Sequence, residues 1–238
     1  MNLILFEKHE IGKSISGYDP RAKHIRRTLK YCVGDIFESG IVNGESGKAK
    51  IIALDKNEII IEFTPENVKT TAFPITLIVG LTRPQIAKHI FRESASMGIK
   101  NLWFYPAELG EKSYLASNIW KEENYHTHLV KGAGQGFTTN LPEIIIFKSL
   151  SEVVSQIQSK VEKICLDNVK PKNSIANYTF TYQKVALLLG SERGLTDNER
   201  NYLESNCFTL LKMGTRVLRT DTACIASIAI VLSKLGLM

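Results

Sequence analysis

The rhythm of apolar and polar positions changes near residue 72. Before it, short apolar runs are interrupted by Gly12, Gly17, Gly34, Gly40, Gly44 and Gly47, the punctuation of a small β-rich unit. Ala49–Leu54 and Glu58–Phe63 are β-prone, and Asp55-Lys56-Asn57 between them predicts a hairpin turn. Pro20–Tyr31 is basic and predicts a short helix. Thr64–Ala72, with one proline and two adjacent threonines, reads as a linker.

From Phe73 onward strand and helix patterns alternate. Strands are predicted over Pro74–Gly80, Asn101–Tyr105, Glu143–Phe147, Lys163–Leu166, Val185–Leu189 and Phe208–Leu211. Helices are predicted over Gln85–Met97, with Ile86, Ile90 and Ala95 turned inward, and over Ser113–Val130, Ser149–Val161, Asp197–Ser205 and Thr220–Leu235. Several strands are apolar throughout, which argues for a mostly parallel sheet covered on both faces. The expected fold class is therefore α/β, with residues 1–72 as one domain and 73–238 as a second.

Composition narrows this only slightly. The chain has 238 residues, 44% hydrophobic and 23% charged, which is ordinary for a globular protein with a real core. Thirty Lys and Arg against 24 Asp and Glu give +6, compatible with a phosphate-bearing partner but not specific to one. Cys32, Cys165, Cys207 and Cys224 form no C-x-x-C pair and have no His at metal-ligand spacing, so buried reduced thiols and no metal are expected. Leu3–Phe6 is too short for a signal peptide, and no run approaches the roughly 18 apolar residues of a membrane helix. A soluble cytoplasmic protein without membrane association is expected.

The chemistry concentrates in the last fifty residues. The apolar strand Val185–Leu189 stops at Gly190, and the polar turn Ser191-Glu192-Arg193-Gly194 follows. Thr196 and Glu199 then have the spacing of a capping box. Parallel sheets bind ligands at the carboxyl ends of their strands, where this turn falls, although a glycine-rich turn without a ligand reads the same. A Walker phosphate loop is excluded, because no G-K-[ST] follows the glycines. A second loop, Lys212–Ala223, follows the strand Phe208–Leu211 and carries Gly214, Arg216, Arg219 and Asp221. Two cations at a helix start run against the helix dipole, which points to an anionic partner; a pair of solvated charges is the plainer reading.

Leu189-Gly190-Ser191-Glu192-Arg193-Gly194-Leu195-Thr196, followed by Leu211-Lys212-Met213-Gly214-Thr215-Arg216-Val217-Leu218-Arg219-Thr220-Asp221-Thr222-Ala223, resembles the RsmE-type uracil-N3 methyltransferases of 16S ribosomal RNA. That family carries G-P-E-G-G-[LF]-[ST] and L-G-x-R-[IV]-L-R-[TA]-E-T-A. His24–Leu29 with Val33-Gly34-Asp35, Ser96–Ile99, and Gly134-Gln135-Gly136 through Leu141–Ile144 are similar to further family segments in the same order. The sequence departs from the pattern at Ser191 (usually Pro), Arg193 (Gly), Gly134 (Glu), Thr138 (Arg) and Asp221 (Glu).

The resemblance implies an amino-terminal PUA-like RNA-binding β-barrel and a SPOUT domain with a deep carboxy-terminal trefoil knot. It implies S-adenosyl-L-methionine as cofactor, a homodimer, no metal, and 16S ribosomal RNA or the small subunit as partner. Cofactor-binding positions would be Leu189, Gly190, Ser191, Glu192, Gly194, Leu211, Met213, Gly214, Val217 and Leu218. Arg219, with Arg216 sharing the work, would stabilise a developing uracil oxyanion or position a phosphate, and Glu192 would be a proton acceptor or, equally, a structural carboxylate at the turn. Arg21, Lys23, His24, Arg26, Arg27 and Lys30 would meet RNA backbone, although the residues alone read more simply as a solvated helix face, with His24 a hydrogen-bonded structural histidine. Two alternatives share these residues: a SPOUT enzyme of another target, such as a tRNA ribose 2′-hydroxyl, and a catalytically silent RNA-binding or assembly protein.

Overall fold

Strand β4 (Ser46–Leu54) shows how the first unit is built. Gly47, Ala49 and Ile51 are buried, while Lys48, Lys50 and Ile52 face solvent, the period-two pattern of a strand with one covered face. It pairs antiparallel with β5 (Glu58–Val68), and the Asp55 carboxylate accepts the Asn57 and Glu58 N–H groups to fix the turn between them. With β1 (Ile4–Phe6), β2 (Ile15–Ser16) and β3 (Ile36–Ile41) these form a five-stranded sheet ordered β1-β3-β4-β5-β2. Only the β1–β3 pair is parallel. Ile4, Phe6, Ile25, Phe37, Ile51, Ile59 and Ile61 share its core.

The computed structural model describes residues 2–68 and 71–238. It divides into two compact units, one holding the chain up to Thr71 with Ala133–Leu141, the other holding Ala72–Gly132 with Pro142–Met238. The expected linker over Thr64–Ala72 is corrected: β5 runs on to Val68, and Lys69 and Thr70 lie outside the described residues. The segment 133–141 joins the first unit through backbone hydrogen bonds that only tertiary contact could reveal, Leu3 N to Gly134 O at 2.9 Å and Asn43 N to Thr139 O at 2.8 Å. A Cβ on Gly134 would stand 2.6 Å from the Leu3 carbonyl oxygen, which accounts for glycine at that departure from the family pattern.

The basic stretch at Pro20 begins as α1 (Pro20–Lys23), with Asp19 capping and proline at the first helical position. It continues as a π-helical turn over His24–Leu29 and ends at Lys30, whose φ is 57°.

The second unit is a seven-stranded sheet ordered β10-β12-β9-β11-β6-β7-β8, parallel throughout. Its strands are β6 (Phe73–Gly80), β7 (Ile99–Tyr105), β8 (Glu143–Ile146), β9 (Glu162–Leu166), β10 (Asn173–Ser174), β11 (Val185–Leu189) and β12 (Thr209–Lys212). All five residues of β11 are buried, so both faces of the sheet are covered there. Helices α2 (Pro84–Ser96) and α6 (Thr220–Lys234) pack together, and α6 also lies on β6 and β11. Ala186, Leu188, Trp103 and Tyr105 share the opposing core with Val153 and Val154 of α4 (Leu150–Gln156) and Leu203 of α5 (Asp197–Ser205).

Several expectations are corrected. Ser113–Val130 is not one helix: two 3-10 turns, Lys112–Ala116 and Asn118–Trp120, meet at the extended Ser117, and α3 (Glu122–Gln135) follows. Ser149–Val161 stops at Gln156, because Ile157 is extended and Lys160 has φ 59°. On α2, Ile90 and Ala95 are fully buried as expected, together with Ala87 and Phe91, whereas Ile86 is only half-buried. Cys165 and Cys224 are buried, whereas Cys32 and Cys207 are exposed.

Candidate active site

Because the strands are parallel, the carboxyl ends of β9, β11 and β12 lie along one edge, and the turns that leave them converge. Between them is a cavity of about 300 Å³, the size of a small-molecule site. Leu166, Leu189, Leu195, Leu211, Met213 and Leu218 give it apolar walls.

The turn after β11 is shaped by glycine. The Gly194 N–H donates to the Ser191 carbonyl at 2.9 Å, and Gly194 has φ +80°. A Cβ on Gly190 would stand 2.8 Å from the Gly194 carbonyl carbon and oxygen, so the turn closes this tightly only with glycine at 190. Among the described residues nothing lies within 4 Å of a Cβ position at Gly194, leaving bare backbone beside the cavity. Thr196 and Glu199 form the expected capping box at the start of α5. Glu199 is buried and also accepts the Glu108 N–H at 3.0 Å, tying the loop after β7 to this turn.

Nine of the ten expected cofactor positions line the cavity; Gly214 does not. Glu192 lines it, and its Oε1 accepts the Arg83 N–H at 2.9 Å. Arg83 is the N-cap residue of α2 and has no side-chain cap of its own. Arg216 lines the cavity and is exposed. Arg219 stands outside the lining with its side chain 72% exposed, its Nε 3.3 Å from Asp221 Oδ1.

Sequence reasoning missed the third wall, Leu166–Val169, together with Arg200, Thr220 and Ala223. The signal was present: Asp167-Asn168 stop the apolar strand Ile164–Leu166 as Gly190 stops β11.

In the first unit the basic positions separate into two groups. Arg21 donates to Glu10 at 2.6 and 2.7 Å, to Asp19 at 2.8 and 3.0 Å and to the Leu5 carbonyl at 3.2 Å, and it stacks on Phe6. Burial alone would lower its pKa, but Glu10 and Asp19 outweigh that and hold it above its ordinary value. Arg26 bonds the Asp55 and Gly17 carbonyls. His24 is half-buried. Lys23, Arg27 and Lys30 are exposed.

The parallel α/β sheet carries a cavity at its carboxyl strand ends, the usual place for a ligand in such folds, and residues 69–232 match the family model described as RNA methyltransferase domain. The chain is 34% identical to "Ribosomal RNA small subunit methyltransferase E" of Treponema pallidum (strain Nichols), over 98% of this chain and 91% of that protein. It is 35% identical to "Ribosomal RNA small subunit methyltransferase E 1" of Borreliella burgdorferi (strain ATCC 35210), over 99% of both. The chain belongs to the family of ribosomal RNA small subunit methyltransferase E. A crystal structure of that enzyme from Neisseria gonorrhoeae, bound to S-adenosyl methionine, shares the fold with a TM-score of 0.77 at 17% identity, over 98% of this chain and 97% of that one.

Proposed function

We propose that this chain methylates N3 of a uridine in 16S ribosomal RNA, with S-adenosylmethionine as methyl donor. The observation that carries the reading is the cavity at three strand ends, where apolar walls meet bare glycine backbone. Such a site suits a ligand with a flat base and polar ends. Leu189, Leu211 and Leu218 offer apolar surface for the adenine, and backbone groups of Gly190–Gly194 and Met213 can read its polar edges. When bound, S-adenosylmethionine supplies an electrophilic methyl group on a sulfonium.

The protein's share of the work is to align the ring nitrogen and to stabilise the charge that spreads onto the uracil oxygens as N3 loses its proton. We assign that charge stabilisation to Arg219, with Arg216 beside it, since a guanidinium presents a rigid donor fork. Asp221 orients Arg219. Glu192 holds the turn through Oε1, which accepts the Arg83 N–H, and its Oε2 is left as a candidate acceptor for the N3 proton. Lys23, Arg27 and Lys30 meet RNA phosphates, a role that predicts affinity falling with salt.

The finer architecture is proposed with it. The curled sheet of the first unit serves as a PUA-like RNA-binding barrel. A trefoil knot in the second is supported by the chain path: after β11 it crosses to β12 on the far side of β9, and α6 then returns to β11 and β6. A homodimer is supported by Val217, apolar yet mostly exposed beside the cavity.

Incubating the protein with small ribosomal subunits from a strain lacking the gene and S-adenosylmethionine labelled in the methyl group tests the assignment. Label recovered as 3-methyluridine is expected. Label in ribose, or no label, refutes it.

A further inference from the structure

The cavity's third wall, after β9, contains no glycine, and a side chain shapes it instead. Asp167 Oδ2 accepts the N–H groups of Val169 at 3.1 Å and Lys170 at 2.7 Å. Arg200, on α5, closes on the same carboxylate with two bonds, Nε to Oδ2 at 3.1 Å and Nη2 to Oδ1 at 3.0 Å. Both side chains are almost wholly buried, 4% and 7% exposed. Arg200 Nη1 continues to Asp197 Oδ1 at 3.0 Å, and Lys170 Nζ reaches that oxygen at 3.0 Å. The circuit Asp167–Arg200–Asp197–Lys170 closes on itself through the Lys170 N–H. It ties the β9 turn to the first turns of α5, the helix that directly follows the Gly190–Gly194 turn.

A buried ion pair is a weak source of net stability, because desolvating two charges offsets most of their attraction. Its distinctive property is geometric: a two-pronged guanidinium fixes direction as well as distance. Both Asp167 oxygens already accept protein donors, so this carboxylate supports the pocket without being offered to a ligand.

We propose that Asp167 and Arg200 are positioning residues that hold the Leu166–Val169 wall in register with the Gly190–Gly194 turn, and so set the affinity for the methyl donor. The proposal rests on the pocket assignment made under Proposed function.

The test is calorimetric titration of S-adenosylmethionine into the full chain, with turnover at saturating donor and thermal melting alongside. Arg200→Lys keeps the charge and loses the fork. Kd should rise by about tenfold, because a binding site whose supporting residues are loosened loses preorganisation. The kcat at saturation should stay within about threefold, the pattern of lost uniform binding. Arg200→Met with Asp167→Leu replaces the pair by apolar groups, an exchange proteins often tolerate. It removes the acceptor for the Val169 and Lys170 N–H groups, so affinity should stay low even where the melting temperature recovers. Wild-type affinity in the lysine variant overturns the proposal, as does wild-type affinity in a stable double variant. Wild-type protein that binds no donor refutes the pocket assignment itself, a separate failure.

Discussion

Glu192 Oε1 accepts the backbone N–H of Arg83 at 2.9 Å, across 109 positions of sequence. The bond places a carboxylate at the amino end of α2, where the helix has no side-chain cap of its own and where the dipole favours a negative charge. It also fixes the turn after β11 against the loop after β6. Glu192→Gln preserves an acceptor of the same length. Turnover should therefore fall by no more than about tenfold, while Glu192→Ala loses this solvent-exposed bond and costs about 0.5–1.5 kcal/mol of stability. A glutamine variant as inactive as the alanine one, with wild-type melting, would make Glu192 the proton acceptor instead.

Gly190 and Gly214 look alike in the sequence, each following a strand, but their surroundings differ. A methyl group on Gly190 collides with Gly194 backbone at 2.8 Å, and backbone cannot turn aside as a flexible side chain would. Gly190→Ala should cost about 1–3 kcal/mol and abolish measurable donor binding. Around Gly214 nothing among the described residues lies within 4 Å of a Cβ. Gly214→Ala should change stability by less than about 0.5 kcal/mol and leave donor affinity intact. Melting curves and calorimetric titration of both variants check the contrast.

Much of the second unit is legible because its signals are local. Val185–Leu189 is apolar at every position because it is buried on both faces, and Asp197–Ser205 starts at a capping box, so local sequence alone marks the bounds of both. The helix expected from Ser113 fails because Ser117 adopts extended backbone, which apolar spacing cannot register. The short strands Ile4–Phe6 and Asn173–Ser174 exist only through partners far along the chain, Ser39–Ile41 and Leu211–Lys212. At the site, two of the three walls follow glycine turns and were found. The Asp167 wall is shaped by a partner 33 residues away, Arg200, and a run of sequence does not display such a pairing.

Acid should destabilise the first unit through the two carboxylates paired with Arg21, Glu10 and Asp19, both held below their ordinary pKa. Arg21, by hydrogen bonding, holds the Glu10 pKa below its ordinary value, with the Glu7 N–H helping against the effect of burial. A carboxylate depressed in the folded state contributes stability that is complete above its unfolded pKa, roughly 4.3. That contribution is lost as pH falls through the lower folded value. Glu10→Gln should therefore be less stable than wild type at pH 7, and the two should converge as pH drops below about 4. Parallel melting-temperature curves over that range would remove Glu10 from the account.

Arg219 and Asp221 together make the sharpest test of the catalytic assignment. Arg219 is mostly exposed and outside the cavity lining, so it should contribute nothing to donor affinity. Its proposed task arises only as charge develops on the uracil, and removing one such donor typically costs about 10²–10³ in kcat. Arg219→Ala should show that loss with Kd for S-adenosylmethionine unchanged. Arg219→Lys should recover only part of it, because an ammonium lacks the planar fork. Asp221→Asn leaves the guanidinium in place but weakens its orientation at 3.3 Å, so its loss should be smaller than that of the alanine variant. Single-turnover methyl transfer to small ribosomal subunits at saturating donor measures all three. If Arg219→Ala transfers methyl groups at the wild-type rate, the charge on the uracil is stabilised elsewhere, and Arg216, which does line the cavity, becomes the residue to test.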